Sequence, residues 1–362
     1  MKKVAIIGSA GVPPKYGGFE TLAGQLVVHL RHKFQIYVYC SSRLYAKDER
    51  ISNFETVKPV YLPFQPNGAQ SILYDIAAML HAVRKADILL ILGVSGGIFL
   101  PVVRLFFRGK IIVHPDGIEW KRLKWNWLIR KYLKLSEYMA IRSANVVISD
   151  NRVIQDYLTK VYGIMPVLIE YGGNPAPVES DEKNPGMEIV LPESYFLALG
   201  RIEPENNPEL ILKTFKDLSG ENLVFIGNWQ RSKFGRKLYK QFHAYENIYL
   251  LDPVYDQQQL SKIRLQANVY IHGHSAGGTN PSLVEALFSG LPVFAFDVAF
   301  NREVTENKAF YFQNSSELIA IIKNTSELLL KENGNALKAI ADRRFDWKYI
   351  IEKYSFLLDE IL

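Results

Sequence analysis

Short apolar runs rich in Val, Ile and aromatic residues recur along the chain. They lie at Val4–Ile7, Ile36–Cys40, Val57–Leu62, Ile88–Leu92, Ile111–His114 and Asn145–Ser149, and again at Phe196–Gly200, Leu223–Ile226, Ile248–Leu250, Val269–His272 and Val293–Phe296. The segments between them are long enough for helices, and that alternation is the signature of parallel sheets with crossover helices. The pattern predicts an α/β protein with two Rossmann-like, doubly wound domains. Gly172 to Gly186 is rich in Pro, Gly and charge and almost free of large apolar residues, as a linker is. In open parallel sheets ligands bind outside the carboxyl ends of the strands, so two hinged domains are expected to face each other across a cleft.

Composition narrows the class. A chain of 362 residues, 48% hydrophobic and 22% charged, has material for two cores. Cys40 is the only cysteine, which rules out an intrachain disulfide and points to reducing cytoplasm. The apolar run after Met1 is too short for a signal peptide. Ile88 to Val103 carries no charge, but Gly93, Gly96, Gly97 and Pro101 interrupt it, and a spanning helix needs roughly twenty apolar residues. It reads as a buried strand, a glycine turn and a helix. The net charge of +6 hides an asymmetry: residues 1–172 carry 23 Lys/Arg against 12 Asp/Glu, whereas residues 173–362 carry 20 against 25. The front half is expected to face nucleic acid, an acidic membrane surface or a phosphorylated substrate.

Candidate chemistry begins after the strand Val269–His272. Gly277-Gly278 permits close backbone approach, and Pro281 suits the first turn of a helix that continues from Ser282. Amides at Gly278, Thr279, Asn280 and Ser282 are then expected to meet an anion such as a diphosphate, helped by the helix dipole. The competing reading is a plain strand–turn–helix junction with Asn280 as N-cap. Arg201, at the end of another strand in the same half, offers a fork for phosphate oxygens. Glu285 can accept from a ribose diol or simply complement the dipole. At the front, Gly17-Gly18 lets the backbone pass close to a ligand at a helix start. Gly8 to Pro13 lacks the Gly-x-Gly-x-x-Gly spacing, which demotes an NAD enzyme.

The motifs Gly200-Arg201, Gly277-Gly278-Thr279-Asn280-Pro281-Ser282-Leu283-Val284-Glu285-Ala286 and Gly290-Leu291-Pro292-Val293 resemble those of the two-domain retaining glycosyltransferases of family 4, with the B-type fold. Gly11 to Thr21, Asp116-Gly117-Ile118-Glu119-Trp120-Lys121-Arg122 and Phe300-Asn301-Arg302-Glu303-Val304 resemble the bacterial rhamnosyltransferase branch of capsule, O-antigen and cell-wall polysaccharide assembly. The resemblance implies an acceptor domain at 1–172, a nucleotide-sugar domain at 173–345, and a last helix over 346–362 crossing back to the first. It implies a donor site of Gly17, Gly18, Arg201, Asn206, Gly277, Gly278, Thr279, Asn280, Ser282 and Glu285, and an acceptor site of Tyr16, Phe19, Glu20, Trp120, Lys121 and Arg122. Two departures stand out. The family's Glu, seven residues, Glu pattern keeps only Glu285, since its first position is Gly277, and its diphosphate-gripping Lys is replaced by Asn206. A donor with fewer hydroxyls, such as a 6-deoxy sugar, fits both.

Asp116 is expected to orient the acceptor hydroxyl or accept its proton, with Glu119 second and a turn-forming role for Asp116 as the plain alternative. Retention without an evident enzyme nucleophile suggests same-face substitution, the leaving phosphate helping to deprotonate the acceptor while Arg201 and helix amides stabilise charge. No Asp-x-Asp pair occurs, so neither metal nor other cofactor is expected. Residues 121–134 hold six positive charges and no acid, with Trp125, Leu128, Ile129, Tyr132 and Leu133 at helical spacing. Such a helix can lie on an anionic membrane, where a lipid-linked (polyprenyl diphosphate) saccharide acceptor would reside; otherwise it packs in the core with a solvated basic face. The sum is a cytoplasmic enzyme peripheral to the inner face of the cell membrane, moving L-rhamnose from dTDP-L-rhamnose. A sugar-nucleotide epimerase is the enzymatic rival. A nucleic-acid-binding protein ranks low, because the positive charge is confined to one half and no recognised binding motif accompanies it.

Overall fold

The computed structural model describes residues 1–361 except Tyr16, Asn53, Leu123 and 174–189. The expected acceptor residue Tyr16 and nearly all of the expected linker lie outside the described residues. The chain forms two compact units, Met1–Tyr171 with Trp347–Leu362, and Gly172–Asp346.

The first unit runs β1 (Lys3–Ile7), α1 (Gly18–Leu30), β2 (Gln35–Ser41), β3 (Val57–Leu62), α2 (Gln70–Ala82), β4 (Ile88–Leu92), α3 (Leu100–Phe106), β5 (Lys110–His114), α4 (Trp127–Ser143), β6 (Val146–Ser149), α5 (Arg152–Tyr162) and β7 (Val167–Leu168). Its strands pair in parallel in the order β3-β2-β1-β4-β5-β6-β7. β4 is Ile-Leu-Leu-Ile-Leu and buried throughout, because helices cover both faces of the sheet. One core cluster joins the sheet to α2, α3 and α4 through Tyr74, Met79, Leu100, Val103 and Ala140. On the other face α1 packs through Leu22, Leu26 and Val27 with the carboxyl-terminal segment, whose Trp347, Ile350, Tyr354 and Leu358 enter the same core.

The second unit runs β8 (Phe196–Leu199), α6 (Pro208–Lys216), β9 (Leu223–Ile226), α7 (Lys233–Phe242), β10 (Ile248–Leu251), α8 (Gln257–Gln266), β11 (Val269–His272), α9 (Pro281–Phe288), β12 (Val293–Phe296), α10 (Ala299–Val304), β13 (Phe310–Phe312), α11 (Ser315–Asn324) and α12 (Glu327–Arg344), after which α13 (Trp347–Glu360) returns to the first unit. The parallel strand order is β10-β9-β8-β11-β12-β13. Strand order reverses between β1 and β4 in the first sheet and between β8 and β11 in the second. Those are the switch points where a doubly wound sheet opens a crevice at its carboxyl edge. β7 and β13, of two and three residues, escape the apolar pattern because so short an edge strand carries no periodicity.

The basic stretch 121–134 corrects the sequence reading. It is not one helix: Glu119–Lys121 form a 3₁₀ turn, and α4 starts only at Trp127, where the Asn126 side chain accepts from the Ile129 amide and caps it. Trp125 lies before the helix, Leu133 is buried, and the Tyr132 hydroxyl donates to the Ser95 carbonyl at 2.7 Å, so much of the expected membrane-facing stripe packs inward. Among the described residues no helix is long and apolar enough to cross a membrane.

Candidate functional site

In the second unit the loops after β8 and β11 meet at the switch point and are tied into one knot. The Asn206 amide donates to the Arg201 carbonyl at 2.6 Å, and its oxygen lies 2.5 Å from His274 Nδ1. Asn207 donates to the Gly273 carbonyl at 2.8 Å. The Ser275 amide and hydroxyl both donate to the Glu205 carbonyl. Glycine is required at 273, where a Cβ would come within 2.2 Å of the Asn206 carbonyl oxygen, and at 277, whose φ of +130° no other residue adopts readily. Asn206 is therefore spent on organising the two loops.

Asn280 caps α9 by accepting from the Ser282 amide at 3.0 Å and from the Ser282 hydroxyl at 2.8 Å. This corrects the expectation that the Ser282 amide faces a ligand: the cap takes it. The Tyr270 hydroxyl donates to Ser282 Oγ at 2.9 Å, which anchors the cap to the strand beneath. Thr279 is buried, and Gly278 completes the turn. Glu285, in α9, forms an ion pair with the buried Arg264 of α8, so any ribose contact shares that carboxylate. Asn301, from the Phe300–Val304 motif, donates to the His274 and Phe296 carbonyls at 2.9 and 2.8 Å and pins the knot to β12. His272, 2% exposed, is held neutral by burial, its pKa pushed down to about 3.

In the first unit the start of α1 meets the end of β5. Gly17 precedes α1 with φ of +124°, and a Cβ there would meet the Glu20 carboxylate. Gly18 opens α1. Glu20 reaches back to accept from the Ala10 amide at 2.9 Å, closing the 10–17 loop. The Phe19 ring stands edge-on to His114 with centroids 5.3 Å apart. Burial lowers the His114 pKa to about 4, with Asp116 pulling the other way.

The two candidate carboxylates differ in accessibility. Asp116 has a half-exposed side chain and one arginine contact, Arg122 Nη2 at 3.2 Å. Glu119 is largely enclosed, with Arg122 Nε 2.7 Å from one oxygen and Trp125 Nε1 donating to the other at 3.0 Å. Burial raises the Glu119 pKa against the pull of Arg122. Trp120 donates to the Tyr157 hydroxyl, which donates to the buried Glu137. Lys121 lies over the Trp120 and Tyr157 rings at 5.6 and 5.7 Å. Arg122 is buried, so of the acceptor-side cations Lys121 is the exposed one. No group of three or more His, Cys, Asp or Glu residues suited to a metal occurs among the described residues.

Asn301, Tyr270 and Arg264 escaped the residue-level reading. Asn301 lies inside a motif noted in the sequence, but its role rests on its contact with the His274 carbonyl, far along the chain. Arg264 carries no local signal at all.

Residues 180–342 match the family model Glycosyl transferases group 1, and residues 1–174 match Domain of unknown function (DUF1972). The chain is similar to a sucrose-phosphate synthase from Thermosynechococcus elongatus, at TM-score 0.82 and 15% identity over 99% of each chain. It is similar to Anabaena HepE in complex with UDP-glucose, at TM-score 0.74 and 15% identity over 99% of each. A glycosyltransferase from Rickettsia africae gives TM-score 0.69 and 15% identity over 99% of this chain and 98% of that one. At such identity these likenesses establish the fold, that of the B-type glycosyltransferases. No curated protein matches in sequence.

Proposed function

We propose that this chain, which carries a group 1 glycosyl transferase domain over residues 180–342, is a retaining, metal-independent glycosyltransferase acting in bacterial surface polysaccharide assembly. Its donor is a nucleoside-diphosphate sugar, best L-rhamnose on dTDP, and its acceptor a lipid-linked saccharide at the inner face of the cell membrane. The observation that carries the reading is the knot at the β8/β11 switch point, where Arg201 follows one strand and the capped amino terminus of α9 follows the other. That HepE was solved with UDP-glucose supports a nucleotide-sugar donor.

In this reading the Gly277–Asn280 turn and Arg201 hold the diphosphate. The acceptor hydroxyl oxygen bonds to the anomeric carbon as the bond to the phosphate oxygen breaks, and the departing phosphate takes the hydroxyl proton on the same face. Arg201 and the α9 dipole stabilise the negative charge that develops on the leaving group. Asp116 orients the acceptor hydroxyl; Glu119, enclosed by Arg122 and Trp125, is less accessible for that task. Gly277 in place of an acid removes a sugar-hydroxyl contact, which suits a 6-deoxy sugar.

A thermal-shift panel of nucleotide sugars, followed by turnover with lipid-linked acceptors, tests the assignment. Arg201→Ala should lower turnover by about 10- to 100-fold, the loss of one charge-assisted contact. Asp116→Asn should keep donor binding and lose transfer. Turnover of Arg201→Ala within about threefold of wild type would remove the proposed phosphate grip, and conversion of the sugar nucleotide without acceptor would replace transfer by epimerisation.

A further inference from the structure

The outer face of the helical layer formed by α2, α3 and α4 is apolar where a solvated layer is ordinarily polar. Leu105 and Phe106, at the end of α3, are 78% and 77% exposed. Leu73 and Leu80 of α2 and Leu128 and Leu135 of α4 are exposed as well. The three helices lie on one side of the sheet over a shared core, and α3 packs against α4. Isolated exposed leucines are common; this many on adjoining elements marks an interaction surface.

The exposed charges that flank these side chains on α3 and α4 are positive. Exposed Arg104 and Arg108 bracket Leu105 and Phe106, and exposed Lys131 and Lys134 stand between Leu128 and Leu135. From Gln65 to Ser136 the only acids are Asp75, Asp87, Asp116 and Glu119. Asp75 is buried on the core side of α2, Asp116 and Glu119 lie against Arg122, and the carboxylate of the exposed Asp87 accepts from the Lys3 amide at 2.9 Å. A second copy of the chain presenting the same face would meet like charge. An anionic bilayer supplies phosphates for the cations and an acyl boundary for the leucines and Phe106.

We propose that the α2–α3–α4 face docks the first unit onto an anionic phospholipid membrane, with Leu105 and Phe106 as its principal insertion point. The inference rests on the membrane-resident acceptor proposed above and moves the contact from residues 121–134 alone to three helices. α3 and α4 both follow strands of this sheet and run from its carboxyl edge toward its amino edge. The docked face therefore extends from Leu128, on the side of the Asp116 loop, to Phe106 at the far edge, which sets the carboxyl edge beside the lipid plane rather than beneath it.

The test is sedimentation of the full chain with phosphatidylcholine vesicles with and without phosphatidylglycerol, at low and high salt. Wild type should bind the anionic vesicles and lose binding as salt rises. Leu105→Ser with Phe106→Ser should lower the partition by about tenfold or more, with an unchanged melting temperature and unchanged binding of UDP, GDP or dTDP. Arg108→Glu with Lys131→Glu should do the same. Wild-type partition in both double variants, equal binding to neutral and anionic vesicles, or a dimer in light scattering that the serine variant dissolves would each overturn the proposal. Failure of vesicle binding alongside intact nucleotide binding removes the docking face and leaves the donor assignment standing; loss of nucleotide binding alongside intact docking does the reverse.

Discussion

Asn206 takes the place at which the resembled family carries a diphosphate-gripping lysine, and its amide instead bridges the Arg201 carbonyl and the His274 ring. Removing it frees two loops at once. Asn206→Ala should destabilise the second unit by about 1–3 kcal/mol in urea unfolding and weaken donor binding, while the unfolding of the first unit stays put. Two buried histidines, one in each unit, disfavour the folded state in acid, and in the first unit the buried Asp75 carboxyl, pushed up by burial to about 7, acts the other way. Burial lowers His114 to about 4 and His272 to about 3, below the ordinary 6.5. The unfolded chain therefore binds these protons first as pH falls, so stability present above about pH 6.5 is lost progressively toward pH 4, by on the order of 3 kcal/mol per histidine. The urea midpoint of the second unit should fall from pH 7 down to pH 4.5, and His114→Asn, which can still hydrogen-bond to the Tyr354 hydroxyl, should shift the first unit's pH 4.5 midpoint upward relative to its pH 7 midpoint, compared with wild type.

Among the elements, α13 shows how a local pattern leaves its destination open. Its apolar spacing announces an amphipathic helix, but only the packing of Trp347, Ile350, Tyr354 and Leu358 against the α1 side of the first sheet places it in a core that begins more than three hundred residues earlier. Trp347, 4% exposed, lies edge-on to Tyr171 with centroids 5.1 Å apart. Trp347→Ala should lower the stability of the first unit by about 3–5 kcal/mol, read as an earlier urea transition of that unit alone. The 121–134 stretch fails as a single helix for a related reason. Charge and aromatic spacing suit one, yet the Asn126 cap and the pairing of Arg122 with Glu119 end the preceding turn first. β7 and β13 add only two and three residues to the edges of their sheets, too few for alternation or an apolar run to register.

Across the whole molecule the two sheets share one logic: strand order reverses once, and the chemically equipped loops sit at the carboxyl edge. The charge does not repeat, being net positive over residues 1–172 and net negative over 173–362. The proposed transfer needs no divalent cation, so dialysis against EDTA should leave turnover within about twofold of the untreated enzyme. A loss of activity restored by Mg²⁺ or Mn²⁺ would contradict this.

The amino-acid sequence by itself determined the α/β class, the two doubly wound sheets and most of their strands. A parallel strand covered on both faces must be apolar along its length, and that requirement is written locally. It also marked Gly277 and the Asn280 cap, since φ beyond +100° and an unpaired helix amide each demand particular residue types. Only the tertiary structure decided which groups are already engaged: Asn206 with His274, Glu285 with Arg264, Glu119 with Arg122, Glu20 with the Ala10 amide. Most of these partners come from separate loops or helices, and a side chain's hydrogen-bonding capacity is consumed by whatever the fold brings within about 3 Å, which no spacing along the chain records.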